Sequence, residues 1–357
     1  LKKLLLILIT ASLLTVSCYA ENSHFIDEDA LRDAVPGGVS DIIDDMDIDS
    51  IDTDESLNKL SEALLSELGK VYRPALRRGA LVIIIAIICA VFEIFGSEST
   101  PLYVRLCGCA GISVVCIGDI GSYMAIGSET LSKISDFSNA LLPTLLTAGI
   151  VCGTPATAAA KYAASALFMD IFIEAARSFI LPMIFAYTAL TVASSAFGGK
   201  LLDGMCGLYK WLCTSMMIII TLAFTAYLSI SAVIASGGDA IVSKTAKAAI
   251  SMALPVIGSI ISDASASVVA GAEAIRSAVG VFGLVVVLLI CIAPFAALGV
   301  NYLILKAAGA IAGAVSPEAA KLIGGIGNSF GMLLALVGSS GIMLFISIVS
   351  CIKAVSA

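Results

Sequence analysis

The residues best able to do chemistry gather in one stretch, Ser243 to Gly283, between two strongly apolar segments. Lys244 and Lys247 open it, Pro255 and Gly258 interrupt an apolar run, and Asp263, Glu273 and Arg276 follow among small residues. Against lipid, neither a broken helix nor an isolated charge is tolerated; such groups face protein or a water-filled cavity. These seven residues are therefore the candidate conduit or helix-break positions. A second group, Asp170, Glu174 and Arg177, has i,i+3 and i,i+4 spacing on one helix face. An internal ion pair near the membrane surface is the favoured reading, and a transport site the rival.

Other chemistries lack their parts. The single histidine, His24, lies in a polar N-terminal segment, and the ten cysteines include no CxxC pair. A zinc or haem site built on these residues is not expected, and no cofactor is expected. Asp45, Asp47 and Asp49 imitate the start of a calcium loop. Ser50 and Ser56 stand where that loop needs Gly and Glu, so a solvated acidic linker is the better reading. No GxxxxGK[ST] appears, which excludes an NTP-driven pump on this chain alone. Asp119, Asp170 and Asp263 share no spacing that would make them a catalytic set, and the sequence reads as a non-enzyme. No basic patch with interleaved aromatics suggests a nucleic-acid partner.

The elements that must position these residues are membrane elements. Hydrophobic residues make up 59% of the 357, charged residues only 13%, and mean hydropathy is +1.05. Soluble domains are nearer a quarter charged. Several apolar runs approach the ~20 residues that cross a bilayer as helix, and none alternates as barrel strands do. The fold class expected is all-α, a polytopic helical membrane protein with six to eight transmembrane or re-entrant helices.

In chain order, residues 1–20 read as a signal peptide, with Lys2 and Lys3, an apolar core from Leu4 to Leu14, and Cys18-Tyr19-Ala20 as a cleavage site. An uncleaved anchor or a lipoprotein signal at Cys18 are the rivals. Residues 21–56 are acidic, with thirteen Asp or Glu between Glu21 and Glu55 against one Arg, the composition of a disordered exported segment. From 57 to 78, Leu57, Leu60, Leu64, Leu65 and Leu68 recur at helical spacing. This predicts an amphipathic juxtamembrane helix, broken near Gly69 and Pro74. It could lie on the bilayer, dock a partner or pack on its own domain.

A multi-span domain from 79 to 357 follows. Its first span is Gly79 to Gly96. Arg73, Arg77 and Arg78 before it argue for the cytoplasmic side, whereas a cleaved signal exports what precedes them; the signal decides. Leu141 to Thr147 opens a short apolar run that reads as re-entrant or tilted. Lys210 and Trp211 anchor the cleanest span, 211–235. Pro294 is expected to interrupt the run 279–300, and Gly324-Gly325-Ile326-Gly327 to turn before the last span, Ser329 to Ile352. Gly309 with Gly313, and Gly331, Gly338 and Gly341, suit close helix approach.

Two functional classes fit these parts: a membrane component of a larger assembly, or a self-contained secondary transporter or permease of the bacterial plasma membrane. A transporter usually shows broken helices at matching positions of two repeats. Pro182 with Pro255 or Pro294 could be such a pair, but the halves do not align.

Four segments carry a resemblance: Leu141 to Thr147 (LLPTLLT), Phe179 to Pro182 (FILP), Pro255 to Gly258 (PVIG) with Ser262 to Ser265 (SDAS), and Ala278 to Gly283 (AVGVFG). In this order the chain resembles the stage III sporulation protein AE family of endospore-forming bacteria. Pro294-Phe-Ala-Ala departs from the family's usual Pro-x-x-Lys. The resemblance implies a non-catalytic platform or gate subunit of the channel complex joining mother cell and forespore. It implies a place in the mother-cell-derived membrane around the forespore. The partners implied are the other stage III A-operon membrane and ring proteins, an ATPase among them, and indirectly a forespore-side channel protein. Membrane lipid would be a further partner.

Overall fold

The apolar runs join into helices much longer than the sequence intervals suggest. The computed structural model describes residues 35–36, 53–95, 100–151, 154–253 and 258–352. Within the helices, the side chains of 53–58, 60, 93–95, 100–102, 117–119, 151 and 231–277 stand outside that description. Among the described residues seven α-helices follow in order: α1 Thr53–Phe95, α2 Thr100–Val151, α3 Pro155–Ala175, α4 Leu181–Phe197, α5 Lys200–Ala253, α6 Gly258–Ala312 and α7 Pro317–Ile352. There is no strand among the described residues. A π-helical turn, Ala176–Ile180, joins α3 and α4 into one rod. The architecture is thus all-α, with six rods that are by length and composition able to cross a membrane.

The rods alternate in direction. At one end, here the turn end, Arg105 of α2 lies beside Cys89 of α1 and Glu318 of α7, and Lys321 of α7 meets Asp203 of α5. At the other end, the open end, Lys161 of α3 donates to the Ser350 carbonyl of α7. There too, Gly283 of α6 packs on Leu141 of α2. α6 and α7 are mostly buried and form the centre; α1 and α5 are mostly exposed. The start of α1 and the end of α7 therefore share the open end. Phe137, Phe172, Phe224 and Phe282, one from each of four rods, are fully buried in the core between them.

Local sequence explains the joints. Gly198 and Gly199 have φ of 73° and 118°, a region open to glycine without steric cost, so α4 ends and α5 starts across two residues. Ser316 caps α7, its hydroxyl accepting from the Ala319 amide at 3.4 Å, with Pro317 in the first turn. The π turn precedes Pro182. Proline has no N–H for the carbonyl one turn earlier and its ring crowds that carbonyl, and a widened turn relieves both.

Four sequence expectations change here. Gly69 and Pro74 do not break α1, which runs 43 residues from the juxtamembrane segment through the first span. Leu141 to Thr147 is neither re-entrant nor separate; it lies in the 52-residue α2, with Pro143 inside. Pro294 does not interrupt α6, and Gly324 to Gly327 continue α7 instead of turning. The reason is common to all four. A proline removes one hydrogen bond and a glycine costs about 1 kcal/mol, whereas a whole rod packed on apolar neighbours keeps every other backbone bond. In a low-dielectric setting an open break would leave several backbone groups unsatisfied.

The small residues of the last two rods do set close approach. A Cβ on Gly309 would lie 3.2 Å from the Gly324 amide nitrogen, and one on Gly331 2.9 Å from the Tyr302 ring. Gly338 meets Phe295 at 3.3 Å and Gly341 meets the Cys291 sulfur at 3.0 Å in the same sense. These glycines let α6 and α7 touch almost backbone to backbone.

Candidate functional site

Of the seven conduit candidates, Lys244 and Lys247 lie on α5, and Gly258, Asp263, Glu273 and Arg276 on α6, all with helical backbone. Pro255 and the side chains of the other six lie outside the described residues, as do the signal, the calcium-like acidic run and Asp119. In the acidic segment Val35 and Pro36 are described, and the Val35 side chain is buried in the core. Asp170, Glu174 and Arg177 are all exposed along α3 and the π turn. Glu174 accepts from Ser178 at 2.5 Å. The ion pairs among the described residues are Lys70–Glu67, Lys133–Glu129 and Lys321–Asp203, so none joins those three.

What the structure brings together instead is a set of polar side chains between the rods. In the first network, Arg78 of α1 donates to Asn301 Oδ1 of α6 at 2.9 Å and to the Tyr123 hydroxyl of α2 at 3.2 Å. Asn301 donates in turn to Tyr123 at 3.0 Å and to the Ala297 carbonyl at 2.7 Å. The guanidinium also lies 5.7 Å from the Tyr123 ring centre, and Phe330 of α7 meets that ring edge-on at 5.0 Å. Four rods are joined through one cation, one amide and one phenol.

The second network lies nearer the turn end. Lys306 of α6 donates to Asn328 Oδ1 of α7 at 2.6 Å, and Asn328 donates to the Tyr187 hydroxyl of α4 at 3.1 Å. One residue along each helix, Thr188 and Ser329 share a hydrogen bond at 2.7 Å in full burial. At the rim, Asp203 of α5 accepts from both Ser194 of α4 and Lys321 of α7. α4, α6 and α7 are thus fastened at successive heights, each bond satisfying a polar group that would otherwise be stranded.

Chemically these networks hold rods in register. The Arg78 and Lys306 networks each join a cation, an amide and a phenol, and a carboxylate, Asp203, stands at the rim. Among the described residues, no group of three His, Cys, Asp or Glu is placed to hold a metal. Sequence reading missed Tyr123, Tyr187, Asn301, Lys306 and Asn328. A signal for two of them was present, since Asn301 and Asn328 are amides inside apolar runs and must find partners there. Arg78 was visible only as one of a cluster. Because neighbours on a helix are about 100° apart, Arg77 and Arg78 cannot share a face; Arg77 is exposed and Arg78 is turned inward.

The fold and its polar cross-links are those of an all-α bundle whose six rods are long and apolar enough to cross a membrane. Comparison with known families then names it more closely. The profile of stage III sporulation protein AE matches residues 39–355, and the chain belongs to that family, whose name places it in sporulation. It is also similar to the stage III sporulation protein AE of Bacillus subtilis (strain 168), 25% identical over 173 residues. That match covers 48% of this chain and 43% of the relative, so less than half of either. No solved structure matches the chain.

Proposed function

We propose that this protein is a non-catalytic platform or gate subunit of the channel complex between mother cell and forespore, seated in the mother-cell-derived membrane. The observation that carries this reading is the family match over residues 39–355. The six apolar rods support it, as do polar networks built for register rather than turnover. Its partners would be the ring and membrane proteins of the same operon, an ATPase among them, and through them a forespore-side protein. The candidate lining residues are Lys244, Lys247, Asp263, Glu273 and Arg276, at the helix break that includes Pro255 and Gly258.

A functional fluorescent fusion, followed through growth and sporulation in the native host, tests it. The expected signal arises only in the mother cell and gathers around the engulfed forespore. An even signal in the membranes of growing cells overturns the channel reading, favours a vegetative permease and makes substrate uptake the next assay.

A further inference from the structure

A lysine on an apolar rod needs an anion or a path to water. Lys306 of α6 is half-buried. It donates to Asn328 Oδ1 at 2.6 Å, and its ammonium lies 5.9 Å from the Tyr302 ring centre. Both partners are neutral. Lys210 of α5 comes to the same height. Thr191 of α4 meets Cys206 of α5 at 3.9 Å. One turn further from the Gly198–Gly199 turn, Tyr187 and Lys210 therefore stand level. Tyr187 accepts from Asn328, and Lys210 is close enough for its charge to act on Lys306. Neither lysine belongs to an ion pair among the described residues. Asp203 lies ~10 Å along α5 from Lys210 and is already held by Ser194 and Lys321. Two unmatched positive charges thus share one level of the bundle.

The lysines stand on opposite walls of a groove. Lys321, Gly324 and Asn328 follow at spacings of three and four on one face of α7, and each is at least partly exposed. Asn328 is bonded to α6 on one side and α4 on the other, and Lys321 to α5. This face of α7 is therefore the floor, with α6 as one wall and the α4–α5 hairpin as the other. A Cβ on Gly324 would meet nothing within 4 Å, so the floor is open there. Lys306 lies ~10 Å along α6 from Gly313 and the α6–α7 turn, and a lysine stem carries its ammonium toward the membrane surface. Trp211, exposed beside Lys210, is of the type that settles at headgroup level. On the side away from the turns, Leu212 of α5 and Leu303 of α6 are exposed. The groove thus sets positive charge above apolar walls, the reverse image of a phosphate above acyl chains.

We propose that this groove holds an anionic phospholipid, its phosphate between Lys210 and Lys306 and its acyl chains along Leu212 and Leu303. Basic pockets between membrane helices take such headgroups, and an ammonium binds phosphate as a point charge without demanding one geometry. A phosphatidylcholine headgroup carries its own cation, which the two lysines would repel; phosphatidylglycerol carries none. The site therefore selects lipid by charge. Bound there, the lipid bridges α5 to α6 over the exposed face of α7. The inference rests on the membrane reading of the protein and deepens it by naming a lipid class and the residues that hold it.

Trp211 is the single tryptophan and neighbours Lys210, so its emission reports which lipid lies there. The full chain is reconstituted in phosphatidylcholine vesicles with a minor share of phosphatidylglycerol, and brominated acyl chains are placed on one lipid or the other in turn. The relative affinity read from Trp211 quenching should favour phosphatidylglycerol at least roughly fivefold, the effect of one lysine near anionic lipid. Lys210→Gln, at an exposed position, and Lys306→Gln should each lower that preference by about the same factor. Gly324→Leu should lower it with no change of charge, by filling the floor. Lys70→Gln, exposed on α1, should leave it as it was. Equal affinity for the two lipids in the unaltered protein overturns the site, and so does a preference that Lys70→Gln lowers as much as Lys210→Gln. Inorganic phosphate that abolishes the preference where chloride of equal ionic strength does not would make a free anion the ligand and overturn the lipid assignment. If neither brominated lipid quenches Trp211, the membrane reading itself fails.

Discussion

At the residue scale, the first network shows how a half-buried cation is retained. Asn301 is 3% exposed and makes all its bonds within the protein. Its carboxamide accepts from Arg78 and donates twice, so its loss costs more than one contact. Interhelical hydrogen bonds in membrane proteins average only ~0.6 kcal/mol and reach ~1.7. A network of three, with a charged member, belongs at the upper end. Asn301→Ala should destabilise the detergent-solubilised protein by roughly 1–2 kcal/mol, and Tyr123→Phe by less, because Phe keeps the ring beneath Arg78 and the edge contact with Phe330. Thermal unfolding of the single and double variants measures this. Fully additive losses would show that the two side chains do not act together.

Among the elements, glycine has opposite effects in α1 and α6. Gly69 lies inside α1, where an added methyl would meet nothing within 4 Å, and its φ is not positive. Gly69→Ala should therefore stabilise by about 0.5–1 kcal/mol, the ordinary helix-interior difference. Gly309 faces the α7 backbone at Gly324, where nothing flexible can move aside. Gly309→Val should cost about 1–3 kcal/mol by overpacking. The two changes, compared by unfolding in one detergent, test whether close approach of α6 and α7 is a stabilising feature. A neutral Gly309→Val would mean that the rods can separate freely.

The whole molecule has six alternating rods, so the start of α1 and the end of α7 lie at one end, and the Gly198–Gly199 and Ser316–Pro317 turns at the other. Topology reporters fused after Ser56 and after Ala357 should therefore read the same compartment. Reporters inserted at the two turns should read the opposite one. A seventh crossing, or a re-entrant α2, would split the first pair. This arrangement also has the end of α5, with Lys244 and Lys247, and the start of α6, with Asp263, Glu273 and Arg276, run toward the open end.

The sequence by itself determined the class of this protein. Composition pointed to a helical membrane fold, the repeated apolar runs gave six to eight helices, of which six rods stand among the described residues, and the ordered segments from LLPTLLT to AVGVFG pointed to the family. The glycines of the last two rods announced close packing, because small residues at that spacing have few other uses in an apolar helix. Tertiary structure alone decided where helices end. Gly69, Pro74, Pro143, Pro294 and Gly324 all resemble breaks locally, yet each costs less than opening a packed rod would. It also decided which polar residues meet, since Arg78, Tyr123 and Asn301 are far apart in the chain and only the alternating bundle brings them to one height. Helix periodicity fixes the face a residue takes on its own rod, and the packing of the rods fixes what that face meets.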